Sequence, residues 1–118
     1  MPEVRLSRRD VGVVKTCLIE VAWGFLDRQL DPFLLANRDA VQHLHDTTLE
    51  AIRDEITSTG IGHLPLTATE LDLIVKCIRL TMRALAEREF QTRTGIELDD
   101  AAETLAALER VQRFSTKE

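Results

Sequence analysis

Apolar residues recur along this chain at spacings of three and four, the pattern of helices that bury one face. Val11, Val14, Leu18, Val21 and Phe25 form one such row, and Ser7 with Asp10 three residues later stands before it as a helix-starting cap. Leu71, Ile74, Ile78, Thr81 and Leu85 form a second row, preceded by Thr67 and Glu70 at the spacing of a capping box. The two rows are related by a constant shift of sixty positions.

Each row is followed by a break and another helical run. After the first, Leu30-Asp31-Pro32 stops the helix, since proline disfavours helix in the residue before it and donates no amide. Asp31 or Asn37 is then available to cap a second helix through Val41, Leu44, Thr48, Ile52 and Ile56, closed by Ser58-Thr59-Gly60 and Pro65. After the other row, Phe90-Gln91-Thr92-Arg93-Thr94-Gly95 reads as a linker whose glycine can take the left-handed conformation. Leu98, Ala101, Leu105, Leu108 and Val111 then define the last helix.

The pattern predicts an all-α fold: a four-helix bundle made of two similar helix-loop-helix units, about residues 6–60 and 66–114, in a single domain. Two amphipathic helices align on apolar positions through their period alone. The polar matches therefore carry the argument for duplication: Ser7 with Thr67, Asp10 with Glu70, Asp27 with Glu87, and Gln29 with Glu89. Leu6 and Leu66, Cys17 and Cys77, and Arg28 and Arg88 add identities in the same register. A pseudo-two-fold axis would relate the halves, making the chain a fused dimer.

The second half carries Leu66-Thr67-x-x-Glu70-Leu71, then Glu89-Phe90-x-Thr92-Arg93-x-Gly95, then a short helix ending near Leu108. In this it resembles short uncharacterised bacterial all-helical proteins with a Glu-Phe-x-Thr-Arg-x-Gly linker. The likeness covers about residues 66–108, and the first half departs from it, with Leu30-Asp31-Pro32-Phe33 in place of the motif. It implies the helix-loop-helix shape and no activity.

Length and composition narrow the function. A chain of 118 residues holds one core, and 44% hydrophobic with 30% charged residues is the composition of a folded protein. The absence of Tyr and an aromatic share of 4% argue against a β-sandwich. The net charge is −5, with seven basic against ten acidic residues in 1–59 and eight against ten in 60–118. Neither half is basic, which disfavours a nucleic-acid partner. The start Met1-Pro2-Glu3-Val4-Arg5 has no apolar leader and no run is long enough for a bilayer, so a cytoplasmic protein with reduced thiols and no membrane partner is expected.

The chemistry-bearing residues form no catalytic set, so a non-enzyme without cofactor or metal is expected. His43 and His45 are two apart, on different faces of a helix, whereas two zinc-binding histidines on a helix sit four apart; His63 falls in the turn before the third helix. Cys17 and Cys77 flank their core rows as small buried hydrophobes, a redox pair near the two-fold axis being the remote alternative. Arg93 either closes the last carbonyls of the preceding helix or grips a partner carboxylate.

The outer faces of the two leading helices differ most. Gly12, Thr16, Ile19, Trp23 and Leu26 make an apolar face on the first, while Asp72, Lys76, Arg79, Arg83 and Ala86 stand at the same positions on the other. An uncovered Trp23 and Ile19 would mark a binding surface, unless the second helix folds over them and enlarges the core. Lys76, Arg79, Arg83 and Arg93 would form a second surface for an acidic protein, although Asp72 and Lys76 have the spacing of a solvated intrahelical pair. The expected partner is another protein, with the inhibitor and immunity proteins of bacteria as the type, or a second copy of the chain in a structural homo-oligomer. A metal or redox protein is a distant third reading.

Overall fold

The structure is a computed structural model and describes residues 3–23, 37–84 and 87–116. Phe25, Leu26, the Leu30-Asp31-Pro32 stop, Leu85 and Ala86 lie outside these residues.

The helical reading is corrected first by a small sheet. β1 (Glu3–Ser7) and β2 (Ile61–Pro65) pair antiparallel, with Val4 opposite Leu64, Arg5 opposite His63 and Leu6 opposite Gly62. Both strands alternate: Val4, Leu6, Gly62 and Leu64 face inward, while Glu3, Arg5, His63 and Pro65 face out. His63 is thus a strand residue, not a turn residue. A two-stranded ribbon is marginal in water, and this one is held by burying Val4, Leu6 and Leu64 in the same core as the helices.

α1 (Arg8–Ala22) starts at Ser7, whose Oγ accepts from the Asp10 N–H at 3.1 Å while Asp10 Oδ2 accepts from the Ser7 N–H at 3.0 Å. Aspartate therefore completes the box as glutamate would. The run expected to be one second helix is broken into α2 (Arg38–His43), a π-helical turn Leu44–Thr48, a 3-10 turn Glu50–Ile52 and α3 (Arg53–Thr59). The cause is in the spacing. Four-residue steps from Leu44 to Thr48, Ile52 and Ile56 drift by about 120° in a helix of 3.6 residues per turn, and the wider π turn recovers part of that drift. Leu44, Leu49 and Ile52 consequently all reach the core. Gly60, at φ 79°, ends α3 in the left-handed conformation.

α4 (Ala68–Ala84) has the expected box, Thr67 Oγ1 accepting from the Glu70 N–H at 3.0 Å and Glu70 Oε1 from the Thr67 N–H at 2.8 Å. Where a linker was expected the chain forms α5 (Glu87–Thr94), because Phe90 is fully buried and draws the segment into about two turns of helix. Gly95, at φ 72°, ends it, and α6 (Leu98–Thr116) follows with Asp99 and Asp100 in its first turn, at the positive end of its dipole.

α1 and α4 pack on each other; α6 lies against α4, and α2 with the π turn lies against α1. Val13, Val14, Cys17, Leu18 and Val21 of α1 meet Leu71, Ile74, Val75, Cys77 and Ile78 of α4 in one continuous core. Among the described residues no helix is long and apolar enough to cross a membrane.

At Gly62 the ribbon lies close against the broken helix. A Cβ there would stand 2.8 Å from Ile56 Cγ1 and 3.0 Å from Ile52 Cδ1. Gly62→Ala is expected to cost about 1–3 kcal/mol through overpacking, read as a lower urea midpoint in circular dichroism. An unchanged midpoint would show that the two isoleucines move aside freely.

Candidate functional site

Trp23 caps the C-terminus of α1, its backbone N–H donating to the Ile19 carbonyl at 3.1 Å. It is 47% exposed and, with Phe114, makes up the exposed large hydrophobics among the described residues. Ile19 and Thr16 are half-buried. The covering of this face by the second helical run is therefore partial. Gln42 Nε2 donates to the Ala22 carbonyl at 3.0 Å, and the His45 ring meets Trp23 edge-on with centroids 4.9 Å apart, yet the indole keeps a free side.

His45 sits in the π turn, and its Nδ1 lies 2.9 Å from Asp46 Oδ1. An ionised carboxylate can only accept, so Nδ1 carries a proton and donates it to Asp46. The ring's Nε2 is buried and has no hydrogen-bond partner among the described residues. A cavity of about 360 Å³ lies between α1 and the broken run, lined by Val11, Lys15, His45, Asp46, Leu49, Glu50, Arg53, Ile56 and Thr57. Arg53 Nη1 pairs with Glu50 Oε1 at 2.9 Å, and Asp46 is engaged by His45. Lys15 is exposed at the rim. Arg8 fastens the far wall, its Nη2 donating to the Thr57 carbonyl at 3.2 Å.

The basic row on α4 is tied down within the molecule. Lys76 Nζ lies 2.6 Å from Asp72 Oδ2, Gln112 Nε2 donates to Asp72 Oδ1 at 3.0 Å, and Arg79 pairs with Glu109 of α6. Burial pushes the Asp72 carboxyl up, but the Lys76 and Gln112 hydrogen bonds and the charges of Lys76 and Arg79 outweigh it and hold it below the ordinary carboxylate range. Arg83 is exposed. Arg93 belongs to α5 by its backbone, and its side chain lies outside what the structure describes.

Cys17 and Cys77 are both buried free thiols. Burial pushes the Cys17 thiol up to about 12, against a hydrogen bond from Thr81 and with the Glu20 charge adding to the rise, so the nucleophilic thiolate is scarce at neutral pH. Among the described residues no group of three or more His, Cys, Asp and Glu is placed to hold a metal ion.

Sequence reasoning singles out Trp23 and Ile19 and does not reveal the cavity between α1 and the broken run. Lys15 and Arg53 look like ordinary solvated charges in a linear reading, and nothing in the sequence places His45 with them. The one available signal was the repeated four-residue spacing from Leu44 to Ile56, which an unbroken α-helix cannot keep on one face. Compared with known protein families, curated proteins and solved structures, the chain matches none of them.

Proposed function

We propose that this chain is a non-enzymatic protein-binding module, a cytoplasmic partner of the inhibitor or immunity kind, that docks through Trp23 and Ile19. The observation that carries the reading is the half-exposed indole at the end of α1, held on one side by His45 and open on the other. An aromatic fixed in this way loses little conformational freedom on binding, and tryptophan is enriched among the residues that dominate interface energy. Lys76, Arg79, Arg83 and Arg93 form the second surface of the proposal. Arg83 leads it, because a partner carboxylate would have to compete with Asp72 and Glu109 for the other two cations whose pairs are described.

We further infer that the molecule is a duplicated helix-loop-helix unit arranged as a pseudo-symmetric bundle. The ribbon register supports this. Val4 faces Leu64, sixty positions on, and a shift of sixty exchanges the flanking pairs Glu3 with Pro65 and Arg5 with His63. That register is the one a two-fold axis between equivalent strands requires. The two capping boxes at Ser7 and Thr67 repeat the relation at the helix starts. In this reading the second half is kin to the bacterial proteins with the Glu-Phe-x-Thr-Arg-x-Gly segment.

The test is affinity capture of the tagged chain from native lysate, wild type beside Trp23→Lys, with light scattering of each eluate. The variant is expected to fold, losing about 0.5–1.5 kcal/mol with the His45 edge contact, and to lose a stoichiometric foreign protein that the wild type retains. Equal capture by both would remove Trp23 from the interface. A wild type recovered alone at twice its mass, reduced to monomer by the substitution, would replace the module with a homodimer.

A further inference from the structure

We propose that the cavity between α1 and the broken helical run is a binding site for a free α-amino acid with an apolar side chain, taken up as the zwitterion. This goes beyond the docking role of Trp23 and stands on different residues.

The volume, about 360 Å³, lies within the range of small-molecule sites. Val11 on α1 and Leu49 and Ile56 on the broken run give it an apolar surface. The ionic side chains that line it sum to zero, Lys15 and Arg53 against Asp46 and Glu50. Such a site selects neither a net anion nor a net cation. Its four charges are nevertheless not paired alike. Arg53 Nη1 and Glu50 Oε1 meet at 2.9 Å and satisfy each other. Lys15, across the cavity on α1, makes no ion pair or hydrogen bond among the described residues. Asp46 accepts from the His45 ring, and no described Lys or Arg pairs with its carboxylate.

The two elements that bound the cavity thus each offer one charge of opposite sign, and these two charges do not meet each other. A zwitterion matches both at once. Its carboxylate accepts a charge-assisted hydrogen bond from the Lys15 ammonium, and its own ammonium donates one to Asp46. It carries no net charge into a site that has none to offset. Its side chain lies against Val11, Leu49 and Ile56, where removing apolar surface from water adds to the binding. The backbone that presents the acidic half is also unusual. The π turn Leu44–Thr48 and the 3-10 turn Glu50–Ile52 carry Asp46 and Glu50, and π-type interruptions of a helix are found disproportionately at functional sites.

The probe is L-leucine, titrated against the full chain while the amide resonances of Val11, Leu49 and Ile56 are followed. The emission of Trp23, the only tryptophan, is a second readout, because its ring touches His45 in the cavity lining. A saturable change is expected. Leucinamide, without the carboxylate, and 4-methylpentanoate, without the ammonium, are each expected to bind about tenfold more weakly, the loss of one charge-assisted contact. Two exposed substitutions then separate the contacts. Lys15→Met is expected to abolish the preference for leucine over leucinamide and to keep the preference over 4-methylpentanoate. Asp46→Asn, whose amide oxygen still accepts from His45, is expected to do the reverse. The proposal is overturned if millimolar leucine moves neither signal, if either analogue binds the wild type as tightly as leucine, or if the two substitutions alter both preferences alike.

Discussion

Phe90→Ala is expected to remove about 3–5 kcal/mol of stability, the cost of deleting a buried aromatic ring and leaving a cavity. Phe90 is fully buried and is among the largest fully enclosed side chains in the molecule. It joins the core from α5, a short helix with little apolar character of its own, so that helix depends on this one anchor. Folded domains are stable by about 5–15 kcal/mol, and the variant should therefore approach or cross the point where a substantial fraction is unfolded at 37 °C. Urea denaturation followed by circular dichroism measures the loss. Phe90→Leu, which keeps most of the volume, should fall much less, within about 1.5 kcal/mol of the wild type. A loss under about 1 kcal/mol for the alanine variant would place Phe90 outside the core.

The second large effect lies at Asp10, which closes two links at once. Its Oδ2 accepts the Ser7 N–H at 3.0 Å, completing the cap of α1, and its Oδ1 accepts the Thr104 hydroxyl at 2.7 Å, tying α1 to α6. Thr104 is 1% exposed, so Asp10→Ala leaves its hydroxyl buried without this acceptor. Loss of the cap together with the orphaned hydroxyl is expected to cost about 2–3 kcal/mol. A double-mutant cycle with Thr104→Val isolates the tertiary part, and a coupling energy near zero would reduce Asp10 to a local cap.

The same carboxyl gives stability a direction in pH. Burial alone would push the Asp10 group up, but the Ser7 backbone N–H, the Thr104 and Ser7 hydroxyls and the Arg9 guanidinium together hold it below the ordinary carboxylate range. A folded-state pKa below the unfolded one adds stability that is complete above about pH 4–5 and is lost as the pH falls through the folded value. The unfolding midpoint should therefore decline on acidification below about pH 4. Asp10→Asn should flatten that decline in part, the remainder coming from Asp72, whose carboxyl is lowered in the same sense. An acid slope identical in the variant would show that Asp10 titrates alike in both states.

Helix starts and stops were the features most legible along the chain. Ser7, Thr67, Gly60 and Gly95 act where their local chemistry says they should, because a cap or a left-handed glycine is decided within three or four residues. The apolar rows of α1 and α4 were legible for the same reason, burial following a period of 3.6. The ribbon was not. Val4-Arg5-Leu6 and Gly62-His63-Leu64 do alternate, but segments this short, poor in β-branched and aromatic residues, acquire strand conformation only when a partner strand and a helical layer are supplied together. Phe90 shows the same limit. A lone aromatic among Glu89, Gln91 and Thr92 looks like a linker residue until a core reaches it.

At the candidate site the division is sharper. The sequence by itself determined that the chain is predominantly helical, where α1 and α4 begin, and that Trp23 lies off the core row of its helix, since each of these follows from local propensity and period. Tertiary structure decided that the second helical run breaks at Leu44, that the His45 and Trp23 rings meet in a T-shaped contact, and that Lys15 and Arg53 line one cavity together. These facts depend on residues twenty and more positions apart meeting at fixed distances. Periodicity specifies which face of an element is buried, but not which other element will cover it or how completely.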